Sequence, residues 1–199
     1  MNPPSKIAPV KLTGEHVELL PLAPEHETGL SAAVADGELW KLWYTAIPSP
    51  EEMAGEIARR LRLQDVGSMA PFTVVERPGG RIVGMTTYMN IDAAGPRVEI
   101  GSTWYAASVQ RSPLNTEAKL LLLGHAFETL GCLAVEFRTH FFNHQSRRAI
   151  ERLGAKLDGV LRHHMRAKNG TLRDTCVYSI VAPEWPTVRA HLQAKLGRS

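Results

Sequence analysis

The chain has 199 residues, 44% of them apolar and 22% charged, with a formal net charge of +3. This is ordinary globular composition, with length enough for one domain over residues 1–199 and a substantial core. It excludes a spanning helix, since no apolar run nears the roughly 20 residues required, and the scattered Lys and Arg argue against a nucleic-acid surface.

The opening MNPPSKIAPVKL lacks a secretory apolar stretch of about 7–15 residues, which points to the cytoplasm. Residues 1–9 hold three prolines and read as an extended lead-in. Leu12–Leu20 alternates and predicts a first strand, ended by Pro21 and Pro24. Residues 25–35 are Ala-rich and helical in propensity, stopping near Gly37. Residues 39–47 form a compact aromatic segment holding Trp40, Trp43 and Tyr44. Ser49, Pro50 and Glu52 read as a capping box with Pro at the first helical position. Met53, Ile57, Leu61 and Leu63 then keep helical spacing, and Gly67 closes the helix.

Three strands follow, at residues 70–76, 81–91 and 97–105, joined by short Gly- and Pro-bearing turns that argue antiparallel hairpins. Residues 116–130 are apolar almost all round, as in a helix buried against a sheet, with Gly131 as its stop. Residues 134–141 alternate as a fifth strand. Asn143 can cap a short helix that Gly154 ends. Residues 156–168 and 172–181 flank Asn169-Gly170, a strong hairpin signal, and residues 184–197 make a last helix. Cys132 and Cys176 have no partner spacing, so neither a disulfide framework nor a metal site is expected.

The order predicts an α/β (α+β) architecture, a mixed and mostly antiparallel sheet of six to seven strands with helices on both faces. The crossover through residues 116–130 makes strands four and five parallel. Between them, the loop Gln110–Thr116 opens onto a helix start, where outward N–H groups and the helix dipole suit a phosphate.

Two segments and the order of elements resemble the GNAT superfamily of acyl-CoA-dependent N-acyltransferases, nearest to the branch that acetylates the N-termini of ribosomal proteins. The pyrophosphate loop of that family, Gln/Arg-x-x-Gly-x-Gly/Ala, falls on Gln110-Arg111-Ser112-Pro113-Leu114-Asn115 and is followed by Thr116-Glu117-Ala118. Pro113 replaces a Gly and removes one amide donor. Arg111 offsets that loss by a charge-assisted contact, with the amides of Leu114, Asn115 and Thr116. The Asn-x-x-Ser segment of the family falls on Asn143-His144-Gln145-Ser146, followed by Arg147. The resemblance implies that Asn143 touches the pantetheine arm and that Ser146 lies near the sulfur and protonates the leaving thiolate.

Glu99-Ile100-Gly101, followed by Trp104-Tyr105, resembles the Glu-Ile-Gly-x-Trp pattern of that branch with one extra residue, which suits a β-bulge. The resemblance further implies that strands four and five splay, and that the backbone of Trp104, Tyr105 and Ala106 faces the cofactor arm. Glu99 is the candidate base for a neutral amine attacking a thioester; pairing with Arg97 or Arg81 is the competing role. Trp40, Trp43 and Tyr44 are candidates for the acceptor wall, or for a core corner. His140, His163 and His164 read as structural. The expected activity is acetyl transfer from acetyl-CoA to a primary amine in a ternary complex, without metal, nucleic acid or membrane, and a homodimer is left open. A catalytically silent coenzyme A-binding module and a transferase for another acyl-CoA are the rival readings.

Overall fold

The computed structural model describes residues 6–167 and 169–198. Residues 1–5 of the expected lead-in and Lys168, at the end of the sixth expected strand, lie outside them. Eight strands form one sheet in the order β1-β2-β3-β4-β5-β6-β8-β7. They are β1 (Leu12–Thr13), β2 (Val17–Pro21), β3 (Met69–Glu76), β4 (Ile82–Asp92), β5 (Arg97–Tyr105), β6 (Ala134–His140), β7 (Lys156–Arg166) and β8 (Leu172–Val181). Every pairing is antiparallel except β5 with β6, which is parallel as the crossover requires.

The strand count exceeds the six to seven expected because residues 12–20 make two strands. The break has a cause about 100 residues away in sequence. The Glu117 carboxylate accepts the amides of Glu15 at 2.8 Å, His16 at 2.6 Å and Val17 at 3.0 Å. Backbone donors that a continuous strand would pair are thus turned to one buried carboxylate. Any side chain at Gly14 would collide with it. Burial alone would raise the Glu117 carboxyl, but the Arg198 guanidinium and the Glu15 and His16 amides hold it below the usual range.

Helices cover both faces. On one lie α1 (Glu27–Ala35) and α2 (Met53–Asp65), on the other α3 (Pro113–Gly124) and α5 (Trp185–Lys195), while α4 (His144–Glu151) follows β6. Successive strand residues point to opposite faces. On β4, Thr87 accordingly meets Arg60 of α2 at 2.6 Å. Its neighbours Thr86 and Tyr88 meet Lys119 and the Leu122 carbonyl of α3. A single apolar cluster joins both layers, and in α3 it takes Leu114, Ala118, Leu122 and Leu123. Each buried Leu contributes roughly 1.5–3 kcal/mol.

Two helix starts differ from expectation. The capping box at Ser49 is half formed: Glu52 accepts the Ser49 amide at 3.0 Å, but the Ser49 hydroxyl turns to Glu51 at 2.7 Å. Without the second bond the segment stays a turn, and α2 begins at Met53. In contrast, α3 starts three residues early, at Pro113, with the Ser112 side chain accepting the Leu114 amide at 3.3 Å. Proline suits that first position because its missing N–H would have no helical partner there.

Lys119 is the cost of burying α3. It is 5% exposed, and among the described residues its ammonium meets only the hydroxyls of Thr86 at 3.3 Å and Thr103 at 3.1 Å. Burial pulls its pKa down to about 7. Because the folded value lies below the unfolded one, the cost is absent above about pH 10.5, grows as pH falls, and is complete near pH 7. Thr86 and Thr103 also bond each other at 2.7 Å, so removing the amine leaves neither hydroxyl orphaned. Lys119→Met therefore raises unfolding stability by roughly 1–4 kcal/mol at pH 7. In urea titrations that gain shrinks toward zero by about pH 10; a gain independent of pH would refute the account.

Candidate active site

The β5–β6 pairing covers three positions, Arg97↔Ala134, Val98↔Val135 and Glu99↔Glu136. Beyond Glu99 the strands part. Each keeps its outer neighbour, β5 pairing with β4 as far as Tyr105 and β6 with β8 as far as His140. A wedge opens toward the C-terminal ends of both strands, its sides two backbone edges without a strand between them.

The extra residue of β5 is a bulge. Met85 pairs with Trp104 and Thr87 with Gly101, so Ser102 and Thr103 together oppose Thr86. Ser102 adopts a left-handed φ of 47°, which bulged residues take and ordinary strand residues avoid. Arg60 of α2, itself buried and paired with Glu56 at 2.7 Å, holds the bulge through the Ser102 carbonyl at 3.4 Å and Thr87 at 2.6 Å.

Glu99 sits where pairing ends and is 5% exposed. The competing ion pairs are taken up elsewhere: Arg97 binds Glu136 at 2.8 Å and Arg81 binds Glu76 at 2.9 Å. Glu99 instead accepts Asn90 Nδ2 at 2.7 Å and has Arg138 Nε at 3.5 Å, too poorly aligned for a hydrogen bond. Burial raises its pKa, against the opposing pull of Asn90 and Arg138. A buried carboxyl raised in this way is suited to proton transfer.

Register assigns the neighbours to faces. Glu99 opposes Met89, and Trp104 opposes Met85; both methionines alternate with Thr87 on the α2 face. Glu136, opposite Glu99, shares that face with Arg138 and His140 by alternation along β6. Trp104 Nε1, Arg138 Nε and His140 Nε2 are all buried without a hydrogen-bond partner among the described residues. The face of the wedge that carries Glu99 therefore also carries three unmet donors, which buried polar groups rarely remain without a ligand or water.

Trp43 and Tyr44 reach this same face. The Trp43 ring lies 5.2 Å from the His140 ring and that of Tyr44 6.5 Å, both edge-on. Phe142 is tilted against His140 at 5.8 Å. Trp40 is separate and packs against the core. Sequence alone reads His140 as structural; the one hint to the contrary is its place four residues after the parallel register ends.

At the mouth, Gln110 donates to the Tyr105 carbonyl at 3.0 Å and accepts Gln145 of α4 at 3.1 Å, bridging the two arms. Arg111 is exposed, with a left-handed φ of 63°. Among the described residues its amide and that of Ser112 have no hydrogen-bond partner. The Asn115 amide is orphaned by its place in the first helical turn. Thr116 is buried, its hydroxyl accepting Arg152 at 3.3 Å. The Ala106 amide donates to the Val83 carbonyl at 2.8 Å.

Across the wedge, Asn143 caps α4 by accepting the Ser146 amide at 3.0 Å. Arg147 is drawn inward, donating to the Tyr178 hydroxyl at 3.1 Å and stacking over Phe141 at 4.9 Å. That network pins α4 to β6 and β8 rather than leaving the guanidinium free.

Residues 16–156 match the acetyltransferase (GNAT) domain family. The fold superposes on the crystal structure of a GCN5-related N-acetyltransferase from Brucella melitensis with a TM-score of 0.86 and 31% identity, over 98% of this chain and 88% of that one. A structure described as an acetyltransferase candidate from T. thermophilus gives 0.83 and 32%, over 96% and 98%. Mycobacterium smegmatis RimJ, in complex with CoA-disulfide, gives 0.77 and 24%, over 100% and 98%, a likeness of fold. A search of curated proteins finds no match.

A mixed sheet with one splayed parallel pair, together with the match over residues 16–156, is that of an acyl-CoA-dependent transferase. The chain belongs to the GNAT acetyltransferase family and is an N-acetyltransferase using acetyl-CoA.

Proposed function

We propose that this enzyme forms a single domain that transfers the acetyl group of acetyl-CoA to a primary amine, a protein N-terminus or a small molecule, by direct attack within a ternary complex. Acetyl-CoA supplies an activated thioester. The observation that carries the reading is Glu99, a buried carboxyl of raised pKa at the point where β5 and β6 part.

In this reading the amides of Arg111, Ser112 and Asn115 hold the diphosphate, helped by the dipole of α3 and the Arg111 charge. The open edge of β5 at Tyr105 faces the amide-rich arm, with Asn143 opposite; the Trp104 carbonyl turns to β4, and the Ala106 amide and carbonyl are withdrawn to Val83 and Val109. Glu99, directly or through water, takes a proton from the amine nitrogen as that nitrogen attacks the thioester carbonyl. Ser146, the third residue of α4, returns a proton to the thiolate. Trp43 and Tyr44 wall the acceptor.

The purified protein, offered acetyl-CoA with peptides, amino-acid amides and polyamines, is expected to release free thiol only when an acceptor is present. Tight coenzyme A binding without amine-dependent release would instead identify a binding module. Glu99→Gln lowers kcat by about 100-fold or more while sparing coenzyme A affinity. Because the carboxyl works ionised, wild-type kcat/KM falls as pH drops through its raised pKa, and that limb vanishes in the variant; unchanged turnover would clear Glu99 of the role. Arg111→Ala weakens coenzyme A binding about tenfold, more at low salt than at high; unaltered affinity would remove Arg111 from the phosphate site.

A further inference from the structure

His140 is 3% exposed, yet one of its ring nitrogens has no hydrogen-bond partner among the described residues. The other fixes its state. The Phe142 amide donates to Nδ1 at 3.1 Å. An amide N–H only donates, so Nδ1 carries the lone pair and the neutral ring holds its proton on Nε2. Burial disfavours the charged form that would break this arrangement. His140 thus presents a fixed N–H donor, ringed by Trp43, Tyr44 and Phe142, on the face that carries Glu99. A buried donor left unmet is unfavourable, and a bound acceptor oxygen would recover that loss.

We propose that His140 is a specificity residue: its Nε2–H binds the carbonyl oxygen next to the reacting amine, so the enzyme selects α-amino carbonyl compounds over simple alkylamines. This rests on the acyl-transfer reading above. The aromatic rings fit such a ligand as well, since they cover the apolar part of a small acceptor without competing for the hydrogen bond. Arg138 and Glu136, which share the face, already bond each other at 2.9 Å, leaving His140 as the neutral donor nearest the aromatic wall.

Alaninamide and isopropylamine differ by one carboxamide and make a matched test, judged within each acceptor across variants. His140→Asn keeps an oxygen where Nδ1 accepts the Phe142 amide and removes the Nε2 donor. It should lower kcat/KM for alaninamide about tenfold, with the isopropylamine value and the KM for acetyl-CoA held within about twofold. His140→Gln, whose amide reaches the Nε2 position, should restore most of the loss. Equal losses for both acceptors, or a wild type that favours isopropylamine, would overturn the inference while leaving acyl transfer intact. No thiol release with any amine would instead sink the acyl-transfer reading and this one with it. Should His140→Asn fail to fold, ¹⁵N spectra of the wild-type imidazole decide: the Nε2–H signal is expected to shift on adding N-acetylalaninamide, and an unmoved signal would overturn the proposal.

Discussion

Everything distinctive in this structure depends on two neighbouring strands failing to pair in the middle of a sheet. Backbone groups on neighbouring strands would otherwise pair across the gap, so an open edge must be enforced. The enforcement comes from outside the wedge. β8 holds β6 along its whole length, through His140 opposite Thr175. β4 holds β5 likewise, but through a bulge that bends it away. The bulge needs a left-handed serine, whose conformation carries strain, and a buried arginine to hold the serine carbonyl. Gly101 belongs to the same device: a side chain there would meet both the Glu99 carboxylate and the Met89 sulfur. The fork and its carboxyl are therefore built as one unit.

The helix beneath the fork shows what such a site demands of its support. α3 starts at the mouth, at Pro113, and then runs buried under the sheet. It carries two charged residues into that burial with opposite outcomes. Glu117 is met by three backbone amides and Arg198, and in return it shapes the first two strands. Among the described residues, Lys119 meets two hydroxyls and no carboxylate. The first is an ordinary satisfied polar group. The second is a local inconsistency of the kind that tends to sit near functional regions, and it lies against Thr103, one residue past the bulge serine.

Much of this could be read from residues alone, and the failures are instructive. β5 and β8 have the bounds expected from their alternation, because alternation survives when both faces are defined. The bulge is visible as one residue too many before Trp104. Helix starts are less legible. Ser49 and Glu52 have the right spacing, but Glu51 competes for the hydroxyl; Pro113 looks like a damaged phosphate loop and is also a favoured first helical residue. The break between β1 and β2 could not be foreseen, since its cause is a carboxylate distant in sequence. His140 escapes notice for a related reason. A histidine on a strand says nothing of which nitrogen is bonded, and its aromatic neighbours come from a segment near residue 43 with no regular pattern to place it.

The electrostatics of the fork explain why Glu99, rather than its neighbour Glu136, is the residue left poised. Arg97, Glu136, Arg138 and Glu99 form a row across the closed end of the wedge. Glu136 lies inside the row, held by Arg97 at 2.8 Å and Arg138 at 2.9 Å. Glu99 is the terminal member, 3.5 Å from a guanidinium already committed to another carboxylate, and like-charge repulsion from Glu136 adds to its burial. These two effects pull the carboxyl up, while Asn90 and Arg138 pull it down, and burial decides the balance. Strengthening the Arg138 contact would stabilise the ion and weaken the tendency to bind a proton; deleting Arg138 would leave a buried acid held by Asn90 and the more distant Arg173 charge. The half-engaged arginine sets Glu99 between those extremes, and it can do so only because the strands have begun to separate at that residue.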